Sequence, residues 1–185
     1  MESSRRGIGE IGGTMADIIG FYKGTAKNQE GISISDVLAM DDQDLERCHT
    51  YIQWVFPLPE KSKAVPSSPV LRQADIDEFR SDIDLQDTME KVLKKMLDFY
   101  GLAMDVSRII PIWAFMKKSE NWLTPRNHNF LRLTRMIRSM KLLGLEHWAE
   151  SLHDCLSRLY KDEGYKGIIG PVTKQFWDEA ILKDV

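Results

Sequence analysis

The chain has 185 residues, 43% hydrophobic and 29% charged, with a formal net charge of −3. That length supports one domain with a core that needs no disulfide or metal staple, and the acidic balance argues against a general nucleic-acid binder. The longest nearly unbroken apolar run, Ile109 to Met116, is too short to cross a bilayer, which takes about 20 residues, so no membrane insertion is expected.

Met1 to Arg6 is basic, but Gly7 to Gly13 follows it where a signal peptide needs an apolar stretch. The chain is therefore expected inside the cell, in cytoplasm or nucleus. Two cysteines, Cys48 and Cys155, fit free thiols in a reducing compartment.

Residues 1–13 read as a disordered tail, and residues 14–185 as one domain. Thr14 is expected to cap a short helix through Phe21 and Tyr22. Ser33 or Ser35 caps a second one carrying Ile34, Val37 and Leu38. Asp41, Asp42 and Asp44 open a third, where the helix dipole favours acids, and Leu45, Ile52 and Val55 carry its period on to Pro57. Pro57 to Pro69 is a Pro- and Ser-rich connector, and a short helix follows over Ala74 to Phe79.

The clearest amphipathic pattern runs from Ser81 to Gly101. Leu85, Met89, Val92, Leu93, Met96 and Tyr100 form one stripe, Glu90 and Lys94 stand at i,i+4 on the wet side, and Gly101 is the expected stop. Ile109 to Ile112 reads as extended, because Pro111 opposes a helix, and Met116 to Asn121 closes as a helical turn or two. Thr124 and Pro125 open a basic helix whose buried face is Phe130, Leu133, Ile137 and Met140, ending at Gly144. A second helix with Leu145, Trp148, Leu152 and Leu159 on one face completes an αα-hairpin. After a loop from Lys161 to Gly170, Pro171 opens a final helix bearing Phe176, Trp177 and Ile181. With no period-2 strand, the expectation is an all-α domain of about six to eight helices with irregular Pro-rich loops.

Several chemical motifs are weak on their own terms. Gly7-x-Gly9-x-x-Gly12 lacks the strand that a dinucleotide fingerprint needs before it. Cys48-His49 and His153-x-Cys155 are spaced so that each pair points to different helix faces, which chelates zinc poorly. Asp41, Asp42 and Asp44 lack calcium-loop spacing. No cofactor or metal is expected. No nucleophile, base and orienting group appear together, so an enzyme using His49 or His128 is the remotest alternative.

Two clusters carry more. From Lys117 to Lys141 there are seven bases against Glu120 alone, and from Glu30 to Glu60 seven acids against Arg47 alone. Arg132, Arg135 and Arg138 recur every three residues, so each step drifts about 60° and the guanidinium groups form a slanted stripe. Arg126, Asn127, His128 and Asn129 occupy its first turn, where cations oppose the dipole and call for carboxylates or a bound anion nearby. Pairing with Asp41 to Glu46 inside the domain is expected, with an external anion as the alternative. His49, Gln53 and Trp54 are the second cluster. Trp54 is expected in the core, whereas Gln53 is open between core and pocket wall.

These clusters lie in blocks that resemble the conserved domain of the opioid growth factor receptor family. The resemblance runs from about Phe21 to Ile181. It rests on Phe21-Tyr22-Lys23-Gly24, Ser35-Asp36-Val37-Leu38, His49-Thr50-Tyr51-Ile52-Gln53-Trp54-Val55-Phe56-Pro57-Leu58, Phe99-Tyr100-Gly101 and Asn127 to Ser139, and microbial members also look similar near Ile169-Gly170-Pro171 and Phe176-Trp177. Thr50 stands where the family usually has Asp, and Val55 where it has Leu.

The resemblance implies a non-enzymatic binding domain for the opioid peptide Met-enkephalin, associated with the nucleus and growth regulation, and the conserved domain without a long C-terminal extension. A peptide or protein ligand is then expected between the Tyr-Ile-Gln-Trp and Asn-His-Asn helices. His49, Gln53 and Trp54 would supply polar and aromatic contacts, and Arg126, Asn127, His128, Arg132 and Arg135 anion recognition. Alanine at Arg132 and Arg135 should weaken binding and leave the fold nearly unchanged. Nucleic-acid association through helix 126–141 is the alternative, and requires that its stripe face solvent or be masked by the acidic helix.

Overall fold

The computed structural model describes residues 16–183, so the expected tail, the Thr14 cap and the Gly7 to Gly12 match lie outside the described residues. The first elements are short and capped by acids or serine. α1 (Ile18–Tyr22) starts at Asp17, whose carboxylate accepts from Gly20 N at 2.7 Å. α2 (Ile34–Ala39) starts at Ser33, which forms a capping box with Asp36. α3 (Asp42–Arg47) starts at Asp41, which accepts from Asp44 N at 2.8 Å.

The single helix expected from Asp41 to Val55 is two. Cys48 turns extended, with φ −80° and ψ 123°, and α4 (Ile52–Val55) begins only after it. α5 (Gln73–Ser81) follows the connector, and α6 (Ile83–Tyr100) buries the whole expected stripe. Asp82 caps α6, and Gly101 ends it in the left-handed region at φ +73°. Glu90 accepts from Trp148 Nε1 at 3.2 Å, a tertiary partner in place of the expected Lys94.

The extended stretch expected at Ile109 to Ile112 is a strand, and it pairs with one that no period-2 pattern announced. β1 (Leu102–Asp105) pairs antiparallel with β2 (Arg108–Pro111), from Leu102↔Pro111 to Asp105↔Arg108, across Val106 and Ser107. Pro111 sits at the strand end, where its missing N–H breaks no ladder bond inside the pair. After α7 (Phe115–Trp122), α8 (Asn129–Leu142) begins four residues later than expected, because Thr124 to Arg126 form a turn with Arg126 at φ 61°. Asn127 Oδ1 accepts from Asn129 N at 2.9 Å, which makes Asn127 the capping side chain.

α9 (Glu146–Lys161) folds back across Gly144 as the expected hairpin, at φ +92°. α10 (Glu163–Leu182) replaces the expected loop: Asp162 caps its first segment, and Gly170 (φ 76°, ψ 159°) breaks it just before Pro171. α8, α9 and α10 pack on one another, with Trp177 fully buried and its indole N–H donating to Phe130 O at 3.2 Å. The fold is mostly helical, with that one small hairpin among the described residues.

Cations close the ends of these helices. Carbonyls in the last turn have no helical donor, and the dipole there favours positive charge. Arg80 donates to Leu142 O at 3.0 Å at the end of α8, and Lys118 to Asp98 O at 2.7 Å at the end of α6. Lys141 donates to Ile181 O at 2.6 Å, and Arg138 to Lys183 O at 2.8 Å, at the end of α10.

Candidate ligand cavity

The break between α3 and α4 builds the site. It leaves carbonyls at the end of α3 without helical donors, and Arg132 of α8 fills the gap. Its Nη1 donates to Leu45 O at 2.8 Å and to Asn129 Oδ1 at 3.3 Å, and its Nη2 to Cys48 O at 3.0 Å and Glu46 O at 3.4 Å. Nη2 also lies 3.2 Å from His49 Nδ1. Guanidinium can only donate, so that nitrogen accepts and the His49 proton sits on Nε2. Glu46 adds the countercharge, 4.0 Å from Arg132, 3.0 Å from Asn129 Nδ2 and 3.4 Å from His128 Nε2. The acidic and basic helices therefore do pack together, but mainly through backbone carbonyls, with Glu46 as the carboxylate in reach of Arg132.

One turn along, Arg135 Nη1 donates to Phe56 O at 2.9 Å, at the end of α4. Burial pulls its pKa down to about 10 while Glu60 opposes the shift, so it stays charged at neutral pH. The same helix holds the connector through Ser139, whose hydroxyl donates to Pro57 O at 2.9 Å.

Between α4, the connector, α8 and the end of α10 lies a cavity of about 820 Å³, within the size range of ligand pockets. His49, Gln53, His128, Arg132 and Arg135 all line it. The imidazoles of His49 and His128 meet edge to face at 5.3 Å. Burial first, then Arg132, holds the His128 pKa below its ordinary value, with Glu46 opposing. Gln53 is only 6% exposed, and its Oε1 has no hydrogen-bond partner among the described residues. Ile52, Leu58, Val65, Leu131, Phe176 and Ala180 give the cavity apolar walls. Its charged lining is lopsided: Lys61, Lys63, Arg132, Arg135, Arg138 and Lys183 against Glu60 and Glu179.

Three residues grouped with these in the sequence lie elsewhere. Trp54 is in the core, packed on Phe21 at 5.2 Å, with its indole donating to Gln29 Oε1 at 2.8 Å. Arg126 is exposed on the turn before α8, and Asn127 caps α8. Conversely, Glu60, Leu131 and Lys183 line the cavity with no motif to announce them, although an outward-facing Leu131 on a basic helix is a faint signal. The basic stripe does not face solvent as nucleic-acid binding would need, since Arg132 is 5% and Arg138 8% exposed. Thr50 lies outside the cavity lining and donates to Glu30 Oε2 at 2.5 Å, where a carboxylate would face a carboxylate.

Residues 14–162 match the family model described as the opioid growth factor receptor (OGFr) conserved region. The chain belongs to the opioid growth factor receptor family. The opioid growth factor receptor of Homo sapiens is 35% identical over 129 residues, covering 66% of this chain and 19% of that protein. That of Mus musculus is 33% identical over 141 residues, covering 72% and 22%. Opioid growth factor receptor-like protein 1 of Mus musculus is 31% identical over 142 residues, covering 71% and 29%. This OGFr-family chain thus spans less than a third of the length of these relatives. No solved structure matches it. The family match ends at Asp162, so the α10 wall of the cavity lies beyond the matched residues. Among the described residues, no helix is long and apolar enough to cross a membrane.

Proposed function

We propose that this OGFr-family domain acts by binding rather than catalysis, and that its ligand is a peptide with a free carboxylate seated in the cavity between α4 and α8. The observation that carries this reading is the combination of apolar walls with an excess of cations around one concave site. Arg135 is the anion contact. It is charged and half-buried, its Nη1 donates to the backbone carbonyl of Phe56, and its other N–H groups suit a carboxylate. Arg132 is a positioning residue, because its donors already hold α3. Gln53, His49 and His128 supply polar contacts beside the apolar floor. The relatives' name, opioid growth factor receptor, fits a peptide ligand.

The test is calorimetric titration of the chain with Met-enkephalin as free acid and as C-terminal amide. The acid should bind, and the amide should bind at least about tenfold more weakly, the scale of one charge-assisted hydrogen bond. Arg135→Gln should bring the acid down to the level of the amide. Equal affinity for acid and amide, or no binding of either, refutes the proposal.

A further inference from the structure

The cavity already contains a carboxylate that is not a ligand. Glu60, on the connector, forms an ion pair with Lys183 at the end of α10, across 123 residues of sequence. Lys183 is itself held in place, since its carbonyl accepts from Arg138 at 2.8 Å and from Lys141 at 3.0 Å. Lys183 first, and Arg138 at longer range, hold the Glu60 carboxyl below the usual carboxylate range, while Glu60 in turn favours the charged form of Arg135. Lys183 is thus the direct partner of Glu60, and Arg135 and Arg138 of α8 line the same cavity.

We infer that Glu60 occupies the anion subsite of this cavity in the absence of ligand, and that a ligand carboxylate binds by displacing it. The inference rests on the reading of the cavity as a binding site. Glu60 is suited to leave. Its side chain is 50% exposed and that of Lys183 58%, so the pair is solvated and weak. The connector around it is surface chain, with Glu60, Lys61, Lys63 and Ala64 all exposed. A ligand carboxylate would meet the same cations, and its apolar body would cover Leu131 and Phe176, which are 61% and 43% exposed at the cavity wall. Glu60 has no such body to bury. Displacement therefore selects carboxylates joined to apolar groups over small anions, and Glu60 sets the affinity threshold that a ligand must exceed.

Decanoate and decanol make a matched pair of probes, with nearly the same apolar body and only one carrying charge. Titrated into the wild-type chain and Glu60→Gln, decanoate should bind the variant about fivefold or more tighter, with decanol unchanged. In wild type, the Glu60 side-chain carboxyl ¹³C resonance should shift on addition of decanoate and not of decanol. Equal tightening of both probes would mean that the Glu60–Lys183 pair closes the cavity to any ligand and would overturn the inference, as would unchanged, weaker or undetectable decanoate binding in the variant. The two ideas fail separately. A peptide whose acid and amide bind alike sinks the peptide reading, whatever decanoate does. Carboxylate-dependent peptide binding with no effect of Glu60→Gln sinks this inference alone.

Discussion

Arg132→Ala should damage the fold far more than the ligand site. Arg132 is 5% exposed, and its guanidinium serves carbonyls of Leu45, Glu46 and Cys48 while lying 5.6 Å from the centre of the Tyr51 ring. Leu45 O keeps a second donor, the Tyr51 hydroxyl at 3.2 Å. Glu46 O and Cys48 O have no such substitute among the described bonds. A buried acceptor stripped of its partner costs about 1–3 kcal/mol. Two of them, near the low end because both bonds are only partly buried, together with lost packing of the arginine stem, give about 3 kcal/mol. For a domain of this size that lowers Tm by roughly 6–12 °C.

The assay is a urea melt followed by circular dichroism and tryptophan fluorescence, with Lys61→Ala as a surface control expected within about 0.5 kcal/mol of wild type. A loss below about 1 kcal/mol for Arg132→Ala would refute the account of α3 as held by this guanidinium. It would also restore the expectation from sequence that alanine there leaves the fold nearly unchanged. The practical consequence is that binding defects at Arg132 say little about ligand contact, whereas Arg135 gives the cleaner test.

Two further outcomes follow from the same structure. Gly101→Ala should cost at least about 2 kcal/mol in a denaturant melt, because φ is +73° and a new Cβ would stand 2.8 Å from Phe115 Cα; a loss under about 1 kcal/mol would contradict that close approach. At Asp75, burial pushes the carboxyl up, but hydrogen bonds from the Arg72 side chain and backbone outweigh it and leave the pKa lowered. That stabilisation is complete above the unfolded value near 3.9 and is lost as pH falls through the folded one. Asp75→Asn should therefore destabilise by about 1 kcal/mol at pH 7, as the loss of a helix cap does, with the gap closing below about pH 4; a gap independent of pH would refute the assignment.

The parts of the fold legible in the sequence were those set locally. The α6 stripe repeats over five turns and stops at a glycine, and the α8–α9 hairpin does the same across Gly144, so period and punctuation sufficed. The α3–α4 break was not legible, because Leu45, Ile52 and Val55 keep a helical period straight through it. What stabilises the break is Arg132, 84 residues from Cys48. The strands are four residues each, too short to show alternation, and Gly164 and Gly167 hid the first segment of α10. In the cavity, His49, Gln53, His128 and Arg135 stood in recognisable blocks. The Glu60–Lys183 pair joins a loop to a helix end across most of the chain, and no local pattern records such a contact.

The two blocks that carry the family resemblance are largely one scaffold. Tyr51, Ile52, Val55 and Phe56 are buried, and Tyr51 reaches Leu45 O, the carbonyl that Arg132 also serves. Asn129 is fully buried between the Tyr100 hydroxyl at 3.2 Å and Glu46 at 3.0 Å, which ties α8 to α6 and α3 together. The helical drift of the arginine stripe then divides the labour. Arg132 points to the end of α3, Arg135 to the end of α4 and Arg138 to the end of α10, so one row of cations docks three helix ends around α8. Docking those ends side by side leaves the hollow between them, and the cations that close the helices become its charged wall. On this account the excess of cations around the cavity is a by-product of how the helices are held. Its apolar rim on Phe176 and Ala180 is a separate matter, because α10 lies outside the residues that match the family.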